Sequence, residues 1–286
     1  MNPLPLEGMR VTTLATNLPG PVAAARLCQL GARVVKVESP GGDPLSGLHA
    51  GWYGTLSAGQ QVMRLDLKQP DGRNRLHELL LESDLLLTSS RLAALMRLGL
   101  EWEALHASYP DLCQVAILGY PAPGENLPGH DLTYQASQGL ITPPHLPRAL
   151  LADLGGAERA VSTALALLLE RERGRGAGYA AVSLAEVTES YALSLHFGLT
   201  RPGGLLGGGL PGYNLYPTRQ GWIAVAALEP HFWQKLTVEL GVDPSGEAGE
   251  ALREAFLNQT ARYWQRWAEE RDLPVLALPE GLAEQD

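Results

Sequence analysis

The sequence predicts an α/β protein in which a mostly parallel β-sheet domain, with helices on both faces, precedes a smaller α+β domain. Between residues 10 and 119, short apolar and β-branched runs alternate with segments of helical periodicity, which is typical of strands joined by crossover helices. A glycine-rich stretch at 201–212 then separates this part of the chain from a hairpin pattern and three amphipathic segments. We therefore place a large domain at residues 1–200 and a small domain at residues 201–286.

In the large domain, local signals predict each element in turn. Pro21 suits the first turn of a helix that begins at Gly20, and Gly31 ends that helix. Asp131 is placed to cap a helix that runs toward Gly139. Apolar and β-branched runs predict strands at 10–14, 33–38, 61–67, 84–88, 112–119 and 179–184. Apolar residues at helical spacing predict further helices at 71–81, 91–98, 102–108, 154–173 and 185–197.

In the small domain, the pattern favours a hairpin followed by helices. Two alternating runs flank the turn signal Arg219-Gln220-Gly221, which predicts strands at 213–216 and 222–227. Amphipathic spacing predicts helices at 232–239, 247–256 and 260–271.

Composition restricts the function classes. Apolar residues make up 45% of the chain and charged residues 19%, as in folded globular proteins, and the net charge of −9 argues against a general nucleic-acid partner. Cys28 and Cys113 both lie in apolar runs, which indicates buried reduced thiols and a cytoplasmic protein. The chain shows no signal-peptide pattern, no apolar run of membrane-spanning length and no metal-ligand spacing of histidines. We expect no metal and no membrane partner.

The first strand–helix–strand unit invites comparison with dinucleotide-binding proteins, because Glu38 ends the second strand where a ribose-binding acid can lie. However, Leu18-Pro19-Gly20-Pro21 does not form the G-x-G-x-x-G turn, and Pro21 lacks a backbone donor for a pyrophosphate. NAD binding is therefore not predicted.

Three separate motifs supply candidate chemistry: Gly129-His130-Asp131, Ala152-Asp153 and Leu228-Glu229-Pro230. Their imidazole and carboxylates suit proton transfer at a carbon next to a carbonyl group, where one base removes the proton and another acid returns it. Each has a structural alternative. His130 can be a loop histidine, and Asp153 and Glu229 can cap the helices that follow them.

With these three motifs, the chain resembles the family III CoA-transferases (the CaiB/BaiF family), which also include the α-methylacyl-CoA racemases. The resemblance spans most of the chain and is carried by ordered motifs. They include residues 5–11, Gly20-Pro21, 30–38, 40–44, 65–68, 97–100, Gly129-His130-Asp131, Ala152-Asp153, 171–176 and Leu228-Glu229-Pro230. The resemblance implies a Rossmann-like large domain, a smaller domain and an interlocked homodimer. It also implies an acyl-CoA substrate, so that coenzyme A enters with the thioester and no cofactor is bound permanently.

The resemblance also implies roles for individual residues. In the racemase branch, His130 and Asp153 flank the α-carbon of the acyl group, and Glu229 supports His130. In the transferase branch, Asp153 instead attacks the thioester and carries the acyl group. Arg91 matches an arginine that faces the CoA phosphates.

The racemase chemistry makes demands on these groups. A thioester α-proton is a weak acid, so its removal requires a base and a group that stabilises the enolate oxygen. Desolvation is expected to raise the pKa of Asp153 enough for it to act as an acid. Backbone N–H groups near Gly155-Gly156, at a helix N-terminus, are expected to face the enolate oxygen.

The chain also departs from the family pattern. Residues 56–63 contain no positive charge where family members carry a basic run that contacts CoA, and Ser39 follows Glu38 where racemases often have arginine. The small domain is expected to be shortened, without the C-terminal return segment of the family. Three functions therefore stay open: a racemase, which we favour, a CoA-transferase acting through Asp153, and a degenerate member that binds a ligand without turnover.

Overall fold

The structure is a computed structural model that describes residues 3–279. The chain divides into two compact units, Met1–Ala192 and Leu193–Asp286. Cys113 is buried and Cys28 is half-buried, and both are free thiols. None of the helices in the described range combines the length and the apolar composition needed to cross a lipid bilayer.

A six-stranded parallel sheet forms the centre of the first unit. Its strands are β1 (Arg10–Thr13), β2 (Arg33–Glu38), β3 (Gln61–Arg64), β4 (Leu85–Thr88), β5 (Cys113–Leu118) and β6 (Tyr179–Ser183). They pair in the order β3-β2-β1-β4-β5-β6. The chain moves outward from β1 to β3 and then returns to form β4 on the other side of β1. Open α/β sheets bind ligands beyond the carboxyl ends of the strands at such a reversal.

Helices cover both faces of this sheet, as the sequence predicts. They are α1 (Pro19–Gln29), α2 (Pro44–Leu48), α3 (Ala50–Ser57), α4 (Pro70–Leu81), α5 (Leu92–Leu98), α6 (Trp102–Ser108), α7 (Asp131–Ser137), α8 (Leu151–Glu170) and α9 (Leu184–Tyr191). Successive strand residues point to opposite faces. Leu85 and Leu87 therefore pack in the core formed with α1 and α8, whereas Leu86 packs in the core formed with α4, α5 and α6. All three leucines are fully buried, and each contributes roughly 1.5–3 kcal/mol of hydrophobic stabilisation.

The second unit contains the predicted hairpin and helices. Its elements are α10 (Leu193–His196), β7 (Tyr213–Pro217), β8 (Trp222–Ala226), α11 (Pro230–Leu240), α12 (Ala248–Leu257), α13 (Ala261–Glu269) and β9 (Val275–Ala277). The antiparallel sheet has the order β7-β8-β9, with β9 an addition to the predicted hairpin. Phe256 and Trp264 pack edge to face at the centre of its core, and the Trp264 ring nitrogen donates to the Phe256 carbonyl.

The structure differs from the sequence prediction at three places. Residues 44–57 form α2 and α3, which apolar periodicity did not reveal, although Asp43 caps α2 by accepting from the Leu45 N–H at 2.9 Å. The helix predicted at 185–197 divides at Ala192 into α9 and α10. The helix predicted from Leu154 begins at Leu151 instead, for a reason that the candidate site explains.

Candidate active site

A cavity of about 240 Å³ lies at the carboxyl edge of the parallel sheet, where the strand order reverses. Loops that follow β1, β4 and β5 line it, together with the first turns of α7 and α8. Three of the four predicted site residues, His130, Asp153 and Arg91, line this cavity. The structure therefore brings together an imidazole, a carboxyl group and a guanidinium that are far apart in the sequence.

His130 lies at the N-cap position of α7, in an extended backbone conformation. The Thr133 hydroxyl accepts from the His130 N–H at 3.0 Å and donates to the His130 carbonyl at 2.8 Å. These two bonds fix the backbone from which the imidazole projects. The residue is largely exposed, so its ring is accessible from the cavity.

Asp153 lies in the first turn of α8 and is partly buried. Its pKa is raised to about 6, mainly by burial and also by the negative charge of Asp131, while His130 opposes the shift. A carboxyl group with this pKa is present both as acid and as base near neutral pH, as proton transfer in two directions requires.

The sequence suggested that Asp131 caps its own helix, but the N-cap of α7 is His130. Asp131 instead links α7 to α8. Its carboxylate is buried, and its Oδ1 accepts from the N–H groups of Ala152 at 2.8 Å and Asp153 at 3.1 Å. Its other oxygen accepts from the side-chain amide of Gln135. A carboxylate suits the positive end of a helix, and this one satisfies two of the four free N–H groups there. Because Asp131 supplies the cap, α8 begins at Leu151 and Asp153 does not cap it.

The prediction that Gly155 and Gly156 present N–H groups to an enolate oxygen was wrong. They are the fifth and sixth residues of α8, beyond the four N–H groups that a helix leaves free. Both glycines are buried, and a methyl group would overlap with the Tyr191 ring at Gly155 and with the Leu184 side chain at Gly156. They serve the close packing of α8 against α9.

Tyr134 is a cavity residue that the sequence reasoning missed. Its side chain is 2% exposed and packs edge to face on Tyr120, with ring centroids 5.2 Å apart. Its pKa is raised to about 12, mainly by burial and also by Tyr120 and Asp153, while Arg91 opposes the shift. The available signal was spacing, since Tyr134 follows His130 by four residues and such residues share one helix face.

Arg91 lies at the N-cap position of α5 and is exposed along the wall of the cavity. It therefore shares the cavity with the candidate acid–base pair. A planar, permanently charged group of this kind binds phosphate or carboxylate oxygens through paired hydrogen bonds.

Glu38 is not available to bind a ribose. It is buried, and Lys36 lies 3.0 Å from its carboxylate while the Tyr53 hydroxyl donates to it at 2.7 Å. Burial raises the pKa of Glu38, but the hydrogen bonds from Tyr53 and Lys36 outweigh it and leave the pKa below its usual value. Lys36 also pairs with Asp43, whose Oδ1 accepts from the N–H of the cavity residue Asn17 at 3.3 Å. This buried network supports the β1–α1 turn.

Glu229, the fourth predicted site residue, belongs to the second unit. It occupies the N-cap position of α11 with an extended backbone, it is exposed, and its side chain makes no capping hydrogen bond. Its pairing with His130 stays a prediction.

Comparison with known proteins identifies the family to which the chain is similar. The family model described as CoA-transferase family III matches residues 6–279. The human protein named alpha-methylacyl-CoA racemase is 31% identical over 311 residues, covering 96% of this chain and 78% of that protein. The succinyl-CoA–D-citramalate CoA-transferase of Chloroflexus aurantiacus is 29% identical, with 96% and 78% covered.

Solved structures confirm the fold. The crystal structure of a hypothetical protein from Mycobacterium tuberculosis matches with a TM-score of 0.84 and 26% identity, covering 98% of this chain and 87% of that one. A CaiB/BaiF family protein from Brucella suis shares the fold with a TM-score of 0.79 and 21% identity, covering 97% of this chain and 85% of that one. These findings confirm the resemblance read from the motifs, and the chain belongs to CoA-transferase family III, a family of racemases and CoA-transferases.

Proposed function

We propose that the protein interconverts the two enantiomers of a 2-methylacyl-CoA by removing the α-proton and returning a proton to the opposite face. The observation that carries this proposal is the position of His130 and Asp153 on one cavity, with the pKa of Asp153 at about 6. Imidazole is the side chain that ordinarily titrates near neutral pH, so this pair suits a reaction that needs an acid and a base together.

The proposed reaction proceeds through an enolate. In one direction, neutral His130 accepts the α-proton, the C–H electron pair forms a carbon–carbon double bond, and negative charge moves to the thioester oxygen. Protonated Asp153 then delivers its proton to the other face of the same carbon. In the opposite direction the two residues exchange roles. Each acid–base step of this kind accelerates a reaction by about 10²–10⁴-fold.

Glu229 completes the proposed machinery from the second unit. Its carboxylate would hydrogen-bond the imidazole of His130 and stabilise the protonated form that follows proton abstraction. The side chain makes no capping hydrogen bond in α11, so its oxygens are not occupied by that helix backbone.

Coenzyme A would occupy a second cavity that adjoins the first. This cavity, of about 620 Å³, shares Thr16 and Ser90 with the reaction cavity and is also lined by Lys68. An elongated ligand could therefore place its acyl group near Asp153 and its nucleotide beside Lys68, with Arg91 near the join. These two cations support acyl-CoA binding even though residues 56–63 lack the basic run, which weighs against a degenerate, non-catalytic member.

A CoA-transferase is the second candidate. Several relatives bear transferase names, including the one from Chloroflexus aurantiacus. In that reaction the ionised carboxylate of Asp153 attacks the thioester carbonyl, and coenzyme A leaves as the thiolate, so that the acyl group is held on Asp153 as an anhydride. The thiolate then attacks the Asp153 carbonyl carbon and releases the first acid. The second carboxylate attacks this Asp153 thioester, and the thiolate it displaces attacks the new acyl carbon, which gives the second acyl-CoA and frees Asp153. The imidazole of His130 on the same cavity favours the racemase, because that reaction needs a second proton-transfer group.

One experiment tests the proposal. The protein is incubated with a single enantiomer of a 2-methylacyl-CoA in heavy water. We expect α-deuterium with loss of optical purity, abolished in His130→Ala and in Asp153→Ala and retained in His106→Ala, which changes an exposed histidine of α6. If the wild type binds the substrate without exchange, the racemase proposal fails and transfer to added carboxylic acids becomes the assay. Absence of binding would favour the degenerate member.

A further inference from the structure

Both candidate reactions create negative charge on the carbonyl oxygen of the acyl group, and the structure must supply a donor for it. The racemase makes an enolate, and the transferase makes a tetrahedral adduct. The N-terminus of α8 does not supply the donor, because the N–H groups of Ala152 and Asp153 already donate to Asp131. Gly155 and Gly156 lie too far along the helix.

The hydroxyl of Tyr134 has the properties of the missing donor. It lies on the cavity that holds His130 and Asp153, although the residue as a whole is 2% exposed. Buried tyrosine hydroxyls usually have a hydrogen-bond partner. Within residues 3–279 the hydroxyl of Tyr134 has none, in contrast to that of the equally buried Tyr216, which donates to the Pro211 carbonyl at 2.8 Å.

Two glycines hold space for this hydroxyl. A methyl group at Gly119 would overlap with the hydroxyl itself, and one at Gly129 would overlap with the hydroxyl and the ring edge. Neither glycine has a positive φ, so the backbone does not require glycine there. Their absent side chains instead let the hydroxyl reach the cavity wall, while Tyr120 supports the ring from the side.

We propose that Tyr134 is a further catalytic residue, whose hydroxyl donates a hydrogen bond to the acyl carbonyl oxygen as that oxygen becomes negative. This inference rests on the proposed function, since it takes the cavity to hold the acyl end of an acyl-CoA. The phenol keeps its proton throughout, because its pKa of about 12 leaves it neutral at physiological pH. It therefore stabilises charge without competing with His130 or Asp153 for the transferred proton.

The test is Tyr134→Phe, with Tyr216→Phe as the matched control. Loss of an oxyanion donor lowers kcat by about 10²–10³-fold, so we expect Tyr134→Phe to slow α-deuterium exchange by that factor with little change in KM. The loss should be the same across the pH range, and the melting temperature should not fall. Tyr216→Phe removes a satisfied bond in the second core, so it should lower the melting temperature without changing kcat.

The possible outcomes separate this inference from the proposed function. If the wild type exchanges deuterium and Tyr134→Phe does so equally fast, only the proposed role of Tyr134 is overturned. A fall in melting temperature with raised KM and unchanged kcat assigns it a structural role and also overturns the inference. If the wild type transfers CoA instead of exchanging deuterium, the same kcat comparison is made in that assay. A wild type inactive in both assays overturns both proposals.

Discussion

Burial and, second to it, the negative charge of Asp131 raise the pKa of Asp153, so that part of this residue is protonated near neutral pH. The carboxylate of Asp131 holds the backbone of Asp153 and also raises the pKa of that residue. Asp131→Asn keeps an oxygen that can accept the same backbone bonds but removes the charge. We expect the pKa of Asp153 to fall, so that less of it is protonated at neutral pH.

Both directions of the reaction should slow together, because the equilibrium between the two enantiomers does not depend on the enzyme. We expect kcat/KM of Asp131→Asn to fall near neutral pH, and the pH at which it is half-maximal to move to a lower value, in each direction. Exchange measured from each enantiomer over a pH series checks this, and a pH profile equal to that of the wild type would contradict it.

The raised pKa of Asp153 also has a cost in stability. An ordinary aspartate has a pKa of 3.8 and this one has a pKa of about 6. Below the lower value the residue is protonated in both folded and unfolded states. As the pH rises from 3.8 to about 6, the unfolded chain ionises this residue before the folded protein does. The free energy of unfolding therefore falls over this pH range.

Asp153→Asn removes that penalty. We expect it to raise the free energy of unfolding by roughly 2 kcal/mol at about pH 8, and by much less at about pH 4, while it abolishes exchange. Urea unfolding at the two pH values measures the difference. An equal effect at both would show that ionisation of Asp153 does not carry the stability change.

At the scale of elements, the turn after β5 and the helix α7 must fit around one hydroxyl group. The methyl group of Gly119→Ala would overlap with the Tyr134 hydroxyl, whereas the ring carbon that bears it lies at 3.5 Å, an ordinary contact. Gly119→Ala should therefore destabilise the wild type by about 1–3 kcal/mol, as overpacking does, yet cost little in a Tyr134→Phe background.

Unfolding free energies of the four proteins in this cycle measure the coupling between the turn and the helix. Gly129→Ala supplies the contrast, because its methyl group would also overlap with the ring edge. Removal of the Tyr134 hydroxyl should therefore not relieve the destabilisation caused by Gly129→Ala. Equal costs of Gly119→Ala in both backgrounds would mean that the turn adjusts by moving the backbone.

Individual strands and helices show what could be predicted from the sequence. Strand β4 was predicted because its side chains are buried on both faces, which leaves an apolar run, and β2 was predicted from its β-branched valines. The start of α8 was not predicted correctly, because its cap comes from Asp131, which lies about twenty residues earlier in the chain. Likewise, His130 and Asp153 were recognisable from family motifs, whereas the place of Tyr134 depends on Gly119 and Gly129, which are brought together only by the fold.

At the scale of the whole molecule, the proposed chemistry needs both units, since Glu229 lies in the second. The interlocked homodimer that the resemblance implies stays a prediction for sedimentation analysis. We expect Glu229→Gln to lower kcat by about 10²-fold, because in the proposed mechanism the carboxylate of Glu229 stabilises protonated His130. The melting temperature should change little, because the side chain makes no capping bond and loses only its interaction with the helix dipole.

Glu247→Gln is the matched control for this change. Glu247 is also an exposed glutamate at an N-cap position of the second unit, at the start of α12, and its side chain also makes no capping bond. Both variants remove one negative charge from the same helical position, so a general effect of charge on substrate binding would appear in both. A kcat loss confined to Glu229→Gln would tie the second unit to proton transfer, and equal rates in the two variants would remove Glu229 from the mechanism.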